Sequence, residues 1–132
     1  MATLYREFTV TADAAKVWDA LRDYGALHKL VGKGFITSCT LEGDVRSITF
    51  ANGHSVREQL VGVDEAARRI CYTVLNGQAA HHHASAQVFD AGGGTTRFVW
   101  ITDLLPHEMA TPIGAMMDHG VAAMQQSLSA MA

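Results

Sequence analysis

The stretch that decides the fold runs from Ser55 to Asp103: SVREQLVGVDEAARRICYTVLNGQAAHHHASAQVFDAGGGTTRFVWITD. Apolar and polar residues alternate along it, the pattern of strands with one buried face. The alternation predicts strands over 55–63, 69–76, 81–90 and 95–103. The breaks fall at Asp64 to Arg68, Asn76-Gly77 and Ala91-Gly92-Gly93-Gly94, all turn-forming sequences. Upstream, the same pattern predicts strands over 34–42 and 45–51, bounded by Gly43-Asp44 and Asn52-Gly53. Connections this short make the six strands an antiparallel meander, because a parallel crossover needs about a dozen residues or more.

Outward from the meander, residues 3–10 (TLYREFTV) read as a further strand. Thr11 and Asp13 then suit the opening turn of a helix, in which Ala14, Val17, Trp18 and Leu21 form one apolar stripe. Asp23-Tyr24-Gly25 interrupts it, Ala26 to Val31 allow one or two more turns, and Gly32 and Gly34 end the region. At the other end, Thr111-Pro112 reads as an N-cap followed by proline at the first helical position. Ile113, Met117, Gly120, Met124, Leu128 and Met131 continue as a stripe at helical spacing. About 20 helical residues span roughly 30 Å, enough to cross the sheet and cover its apolar face. The expected fold is α+β, one domain over residues 1–132: a seven-stranded curved antiparallel sheet around a long C-terminal helix, with two short helices between strands 1 and 2.

Composition fits this reading. The chain has 132 residues, 48% of them hydrophobic and 17% charged, and a net charge of −3. These values are globular and leave no basic stripe for nucleic acid or an anionic membrane surface. No apolar run reaches the roughly 18 residues of a membrane span, and the N-terminus alternates like a strand instead of reading as a signal peptide. A cytoplasmic protein, monomer or homodimer, is expected. Cys39 and Cys71 lie far apart, outside any metal-binding spacing, and read as small buried residues.

Placing side chains on faces gives the candidate site. With hairpin registers estimated from the turns, Leu60 faces Ile70, Glu58 faces Tyr72, Tyr72 faces His82, and His82 faces Thr102. Ala84 then faces Trp100, and Ala86 faces Phe98. Ile70, Tyr72, Val74, Phe98 and Trp100 mark the inner face, so Glu58, Tyr72, His82 and Thr102 form a polar row on an apolar wall. A buried carboxylate is costly unless paired or hydrated, so such a row points to enclosed water or ligand. A core in which Glu–Tyr and Glu–His pairs satisfy each other explains it as well. The expected walls of the pocket are Ile48, Phe50, Val56, Leu60, Ala84, Phe98, Trp100 and Thr102 from the sheet, with Ile113, Met117, Gly120 and Met124 from the helix.

His81-His82-His83 does not read as a metal site, because alternation sends His82 inward and its neighbours outward. The triple glycine joins two strands and precedes no helix, which excludes a phosphate loop. Ser38 and Ser85 lack a nucleophile-elbow context. Neither a metal nor a cofactor is expected.

The order strand, two helices, six-stranded meander, long helix resembles the helix-grip superfamily. That group holds START lipid-transfer domains, birch-pollen-allergen-type proteins, plant abscisic acid receptors and small bacterial polyketide cyclase/dehydrase-like proteins. The chain is most similar to the last group, through residues 17–23 (VWDALRD), 52–60 (NGHSVREQL), 68–72 (RRICY) and 99–103 (VWITD) with Pro106. The resemblance implies a cavity between sheet and final helix, gated near Asn52-Gly53 and Gly77 to Ala80. It puts Glu58 where the hormone receptors have a cavity glutamate and His82 where they have a cavity tyrosine. Thr37 falls where they have the lysine that holds the hormone's carboxylate, a departure that weakens the case for a carboxylate ligand. The expected function is binding or carriage of a small hydrophobic molecule, aromatic or polyketide-like, in keeping with lipid-transport relatives. The alternative is a cofactor-independent cyclase or dehydratase in which Glu58 or His82 acts as acid or base and Tyr72 donates a hydrogen bond. A structural or interaction role would leave the polar row unexplained.

Overall fold

The alternating segments form one sheet in a computed structural model, which describes residues 2–131. The strands are β1 (Ala2–Val10), β2 (Ile36–Glu42), β3 (Val45–Phe50), β4 (Ser55–Asp64), β5 (Arg69–Val74), β6 (His81–Gly92) and β7 (Thr95–Leu105). They lie in the order β1-β7-β6-β5-β4-β3-β2, every neighbouring pair antiparallel. Helices α1 (Ala14–Arg22) and α2 (Leu27–Leu30) occupy the connection between the two edge strands, and α3 (Ala110–Ser129) follows β7. This is the helix-grip arrangement. Among the described residues no helix is long and apolar enough to cross a membrane.

The apolar stripes explain the helix positions. Ala14, Val17, Trp18 and Leu21 of α1 are all buried. The Trp18 indole donates to Glu65 in the β4–β5 turn at 2.8 Å, and Arg22 reaches the same carboxylate. Helix α3 buries Ile113, Met117, Gly120, Met124 and Leu128. It is held to β1 by the Arg6–Asp118 ion pair and by Gln125, which donates to the Thr9 carbonyl. Both helix starts differ from expectation. Asp13 occupies the N-cap of α1, but its side chain makes no capping bond. A 3-10 turn, His107–Met109, runs directly into α3, so helical geometry begins at Ala110 and Thr111 is not the cap. Pro112 falls third in the helix, still within the first turn where a missing N–H costs nothing.

The cross-strand registers are corrected throughout. Glu58 pairs with Val74, and Leu60 with Tyr72. Tyr72 also pairs with Ala84, Ala84 with Thr102, Ala86 with Trp100, and His82 with Leu104. Each expected pair is displaced by two residues, which keeps every side chain on its face but changes its neighbour. The causes are tighter loops and bulges. Asp64 pairs with Arg69, leaving a four-residue turn, and Val61 is an extra residue in β4. Gly92 pairs with Thr95 and Ala91 is bulged, so the last hairpin turns on Gly93-Gly94 alone. Both glycines take positive φ (62° and 78°), as a two-residue turn with right-handed strand twist requires.

At one end of the sheet the core is closed. Phe8 and Phe98 stack at 4.8 Å between ring centres, packed with Val17, Val88 and Leu128. The Thr96 hydroxyl, fully buried, donates to the Ala12 carbonyl at 2.6 Å. Phe98 is 1% exposed, so Phe98→Ala should cost about 3–5 kcal/mol of unfolding free energy in a urea titration. A loss below about 1 kcal/mol, the scale of a single buried methyl group, would contradict this core assignment.

Candidate functional site

Toward the other end the sheet and α3 diverge around a cavity of about 260 Å³. Its sheet wall is Ile48, Phe50, Val56, Ile70, Val74, Ala86, Phe98 and Trp100, and Ile113, Met116, Gly120 and Met124 face them from α3. Leu27, Val31 and Phe35 close one side, while Asn52, His54, Gly77, Gln78 and Ala79 line the loops. A neighbouring recess shares Phe35, Phe50, Asn52, His54, Pro112 and Met116 with the cavity and adds Gly34, Ala51 and His119. The cavity therefore opens beside the Asn52–His54 turn and the start of α3. Gly120 sets the depth of the opposite wall: a Cβ there would lie 3.0 Å from the Trp100 ring and 3.4 Å from Phe35.

One buried ion pair forms the polar end. Arg46 and Glu58 are cross-strand partners, and both Nε and Nη2 of the arginine reach Glu58 Oε1 at 2.8 Å. The side chains are 4% and 9% exposed. Nη1 points to the Tyr24 carbonyl at 3.4 Å. The guanidinium lies 3.9 Å from the centre of the Tyr24 ring and 5.0 Å from that of Tyr72, a double cation–π contact. Burial works against the arginine's charge, but Glu58 and the two tyrosines more than offset it and its pKa is raised. The Trp100 indole donates to the Tyr72 hydroxyl at 3.0 Å. Burial, then the charge of Glu58, raises the pKa of that phenol, so Tyr72 keeps a proton that it can donate. His82 lines the cavity near the loops, and burial, with His81 adding to it, lowers its pKa.

Of the sequence-derived residues, Glu58, Tyr72, His82, Ile48, Phe50, Val56, Phe98, Trp100, Ile113, Gly120 and Met124 all line this cavity. Five others do not. Thr37 sits at a bulge between Ile36 and Ser38 and turns outward, donating to the Thr49 carbonyl. Leu60 packs against the closed core, next to the Val61 bulge. Ala84 and Thr102 face each other in the row that holds Tyr72, and at about 1% exposure neither lines the cavity. Met117 points into a cluster with Leu104 and Ile113, and Met116, one residue earlier, takes its place on the cavity.

The single polar row also needs correction. Tyr72 is aligned with Leu60, Ala84 and Thr102, whereas Glu58 pairs with Val74. Glu58 is held by Arg46, and the His82 pKa is lowered by burial, with His81 adding to it. Arg46 was not foreseen, although a signal existed: Arg46, Ile48 and Phe50 alternate on one face of one strand. His81 is exposed and His83 half-buried on the opposite face from His82. Among the described residues no group of three His, Cys, Asp or Glu side chains could hold a metal ion.

Two measurements probe this geometry. Glu58→Gln should leave a buried guanidinium uncompensated and cost about 3–5 kcal/mol of stability, as should Arg46→Met. The double variant Arg46→Met/Glu58→Leu should recover most of that loss, because a packed apolar pair replaces a buried ionic one at little cost. Strictly additive losses in urea unfolding would show that the two charges do not compensate each other. The second measurement is pH dependence. A histidine whose folded pKa lies below its ordinary 6.5 binds its proton more readily in the unfolded chain. The wild type should therefore lose stability as pH falls below about 6.5 and on through the lower folded value. His82→Gln should flatten that part of the profile, and an unchanged slope would place His82 in water.

Comparison with known proteins gives the family. The family model described as polyketide cyclase / dehydrase and lipid transport matches residues 1–132. No curated protein matches the sequence significantly. Among solved structures, a protein from Thermobifida fusca determined in solution is 28% identical, with a TM-score of 0.80, 98% of this chain and 91% of that one being covered. Norcoclaurine synthase from Thalictrum flavum is 20% identical with a TM-score of 0.76, covering 98% and 85%. The Zhui aromatase/cyclase from a Streptomyces species is 18% identical with a TM-score of 0.77, covering 98% and 92%. The likeness to these two enzymes is one of fold. With its whole length matched, the chain belongs to the polyketide cyclase / dehydrase and lipid transport family.

Proposed function

We propose that this protein binds one small, largely apolar molecule, aromatic or polyketide-like, in the cavity beneath α3, and serves as its carrier or binding protein in the cytoplasm. The observation that carries this reading is the character of the cavity: apolar walls around one self-neutralised ion pair. Walls of this kind with a few placed polar groups are what small-molecule sites share. Empty apolar volume costs stability, about 24 cal/mol per Å³ in core-truncation series, so a fold that keeps such a space gains by filling it. A volume of about 260 Å³ lies just under the roughly 300 Å³ at which drug-sized pockets begin, and so favours a compact ring system.

The second reading, a cofactor-independent cyclase or dehydratase, draws support from His82 and Tyr72. A cavity imidazole kept neutral by burial can accept a proton, and a phenol with a free proton can donate to a carbonyl oxygen. Glu58 is less suited to be the base, because two donors of Arg46 already occupy its Oε1.

Calorimetry with the neutral naphthalene dye prodan should give one-to-one binding with a Kd in the micromolar range, roughly −8 kcal/mol. Gly120→Leu would drive a side chain against the Trp100 and Phe35 rings and should weaken binding about tenfold or more. A folded Gly120→Leu variant that binds as well as wild type would mean the dye sits elsewhere. His82→Gln and Tyr72→Phe separate the two readings. With an enolisable aromatic ketone as substrate, an enzyme should lose about 10²–10⁴ in turnover, whereas a carrier shows no turnover in any form.

A further inference from the structure

We propose that the cavity selects a neutral ligand bearing a hydroxyl group, which donates to Glu58 Oε2 and accepts from the Tyr72 hydroxyl. This deepens the binding reading above and rests on it. The argument is an inventory of donors and acceptors at the polar end. Arg46 commits Nε and Nη2 to a single oxygen of Glu58, turns Nη1 to the Tyr24 carbonyl, and has the Tyr24 and Tyr72 rings beside its guanidinium. The other oxygen, Oε2, accepts no hydrogen bond from any described residue, and Glu58 lines the cavity. The Tyr72 oxygen accepts from Trp100, which leaves its own proton to give. The site thus offers one acceptor and one donor, and a hydroxyl complements both.

Charged ligands fit poorly. A carboxylate would meet Oε2, itself an anion, and the guanidinium beside it is already neutralised by Glu58, with Nε, Nη2 and Nη1 turned to Glu58 and Tyr24. The desolvation cost of a buried unpaired anion would fall on the ligand. An ammonium group brings three donors and a second positive charge to a carboxylate whose charge Arg46 already balances. A pure hydrocarbon would fill the apolar space but leave Oε2 without a partner, and lose what the hydroxyl gains.

The test is a set of ligands with one ring system: naphthalene, β-naphthol, β-naphthoate and β-naphthylmethylammonium, each titrated calorimetrically into the wild-type protein near neutral pH. β-Naphthol should bind about ten- to a hundredfold more tightly than naphthalene, the range expected for a hydrogen bond to a charged group. Both ions should bind about tenfold or more weakly than naphthalene. Tyr72→Phe should reduce the ratio of β-naphthol affinity to naphthalene affinity. The double variant Arg46→Met/Glu58→Leu, chosen because it removes both charges together, should abolish that advantage. If β-naphthol binds no better than naphthalene, or β-naphthoate binds best, the hydroxyl inference is wrong and the binding reading stands. If none of the four binds, both fall.

Discussion

The buried ion pair between Arg46 and Glu58 is the constraint on which fold and site both depend. Two charges taken out of water need near-ideal geometry to recover their lost hydration. Here the antiparallel pairing of β3 and β4 supplies it by placing the two residues directly opposite on the inner face. Tyr24, from the 3-10 turn Tyr24–Ala26, lays its ring on the guanidinium and donates its hydroxyl to the Glu58 backbone carbonyl at 2.9 Å. The pair therefore fastens the helical connection to the far half of the sheet. A loss of either charge would act on that connection as well as on the cavity.

The same pair decides the chemistry of the cavity. Arg46 turns Nε, Nη2 and Nη1 to Glu58 and Tyr24, so the cation lines the cavity with its charge compensated, and beside it stands a carboxylate oxygen that no protein donor occupies. Trp100 and Tyr72 extend the arrangement across the sheet: the indole fixes the phenol oxygen, and Gly120 admits the indole against α3. A larger residue at 120 would meet the Trp100 ring before it met anything else. Affinity for apolar rings and orientation of a polar substituent are thus set by different residues, with Trp100 belonging to both groups.

Period-two alternation assigns faces, and there the sequence was legible: Glu58, Tyr72, His82 and Trp100 all line the cavity. The stripes of α1 and α3 were legible for the same reason, since burial repeats at helical spacing. Register was not. Bulged residues at Thr37, Val61 and Ala91 each add one residue to one strand, and nothing in an alternating pattern marks them beforehand. The polar row consequently separated into a Tyr72–Ala84–Thr102 line and a Glu58–Val74 pair. Met117 failed differently: a helical stripe about 100° wide reaches both the closed core and the cavity, and spacing alone does not say which. Arg46 was readable from its place two residues before Ile48, but an arginine on an apolar face contradicts composition-based expectation unless its partner is already known.

This division bears on what the cavity can catalyse. General-base catalysis needs a group that is unprotonated at the working pH and free to take a proton when a substrate offers one. Glu58 is occupied, because two donors of Arg46 converge on its Oε1. His82 has the right setting: its neutral form is favoured by burial and no carboxylate perturbs it. Yet the two residues that could act together, His82 and Tyr72, lie in different cross-strand rows, with Tyr72 aligned on Ala84 and His82 on Leu104. A substrate would have to span two rows, presenting a proton to one residue and an oxygen to the other. Carrier and enzyme draw on the same cavity walls, so ligand shape alone does not divide them and the behaviour of His82 does.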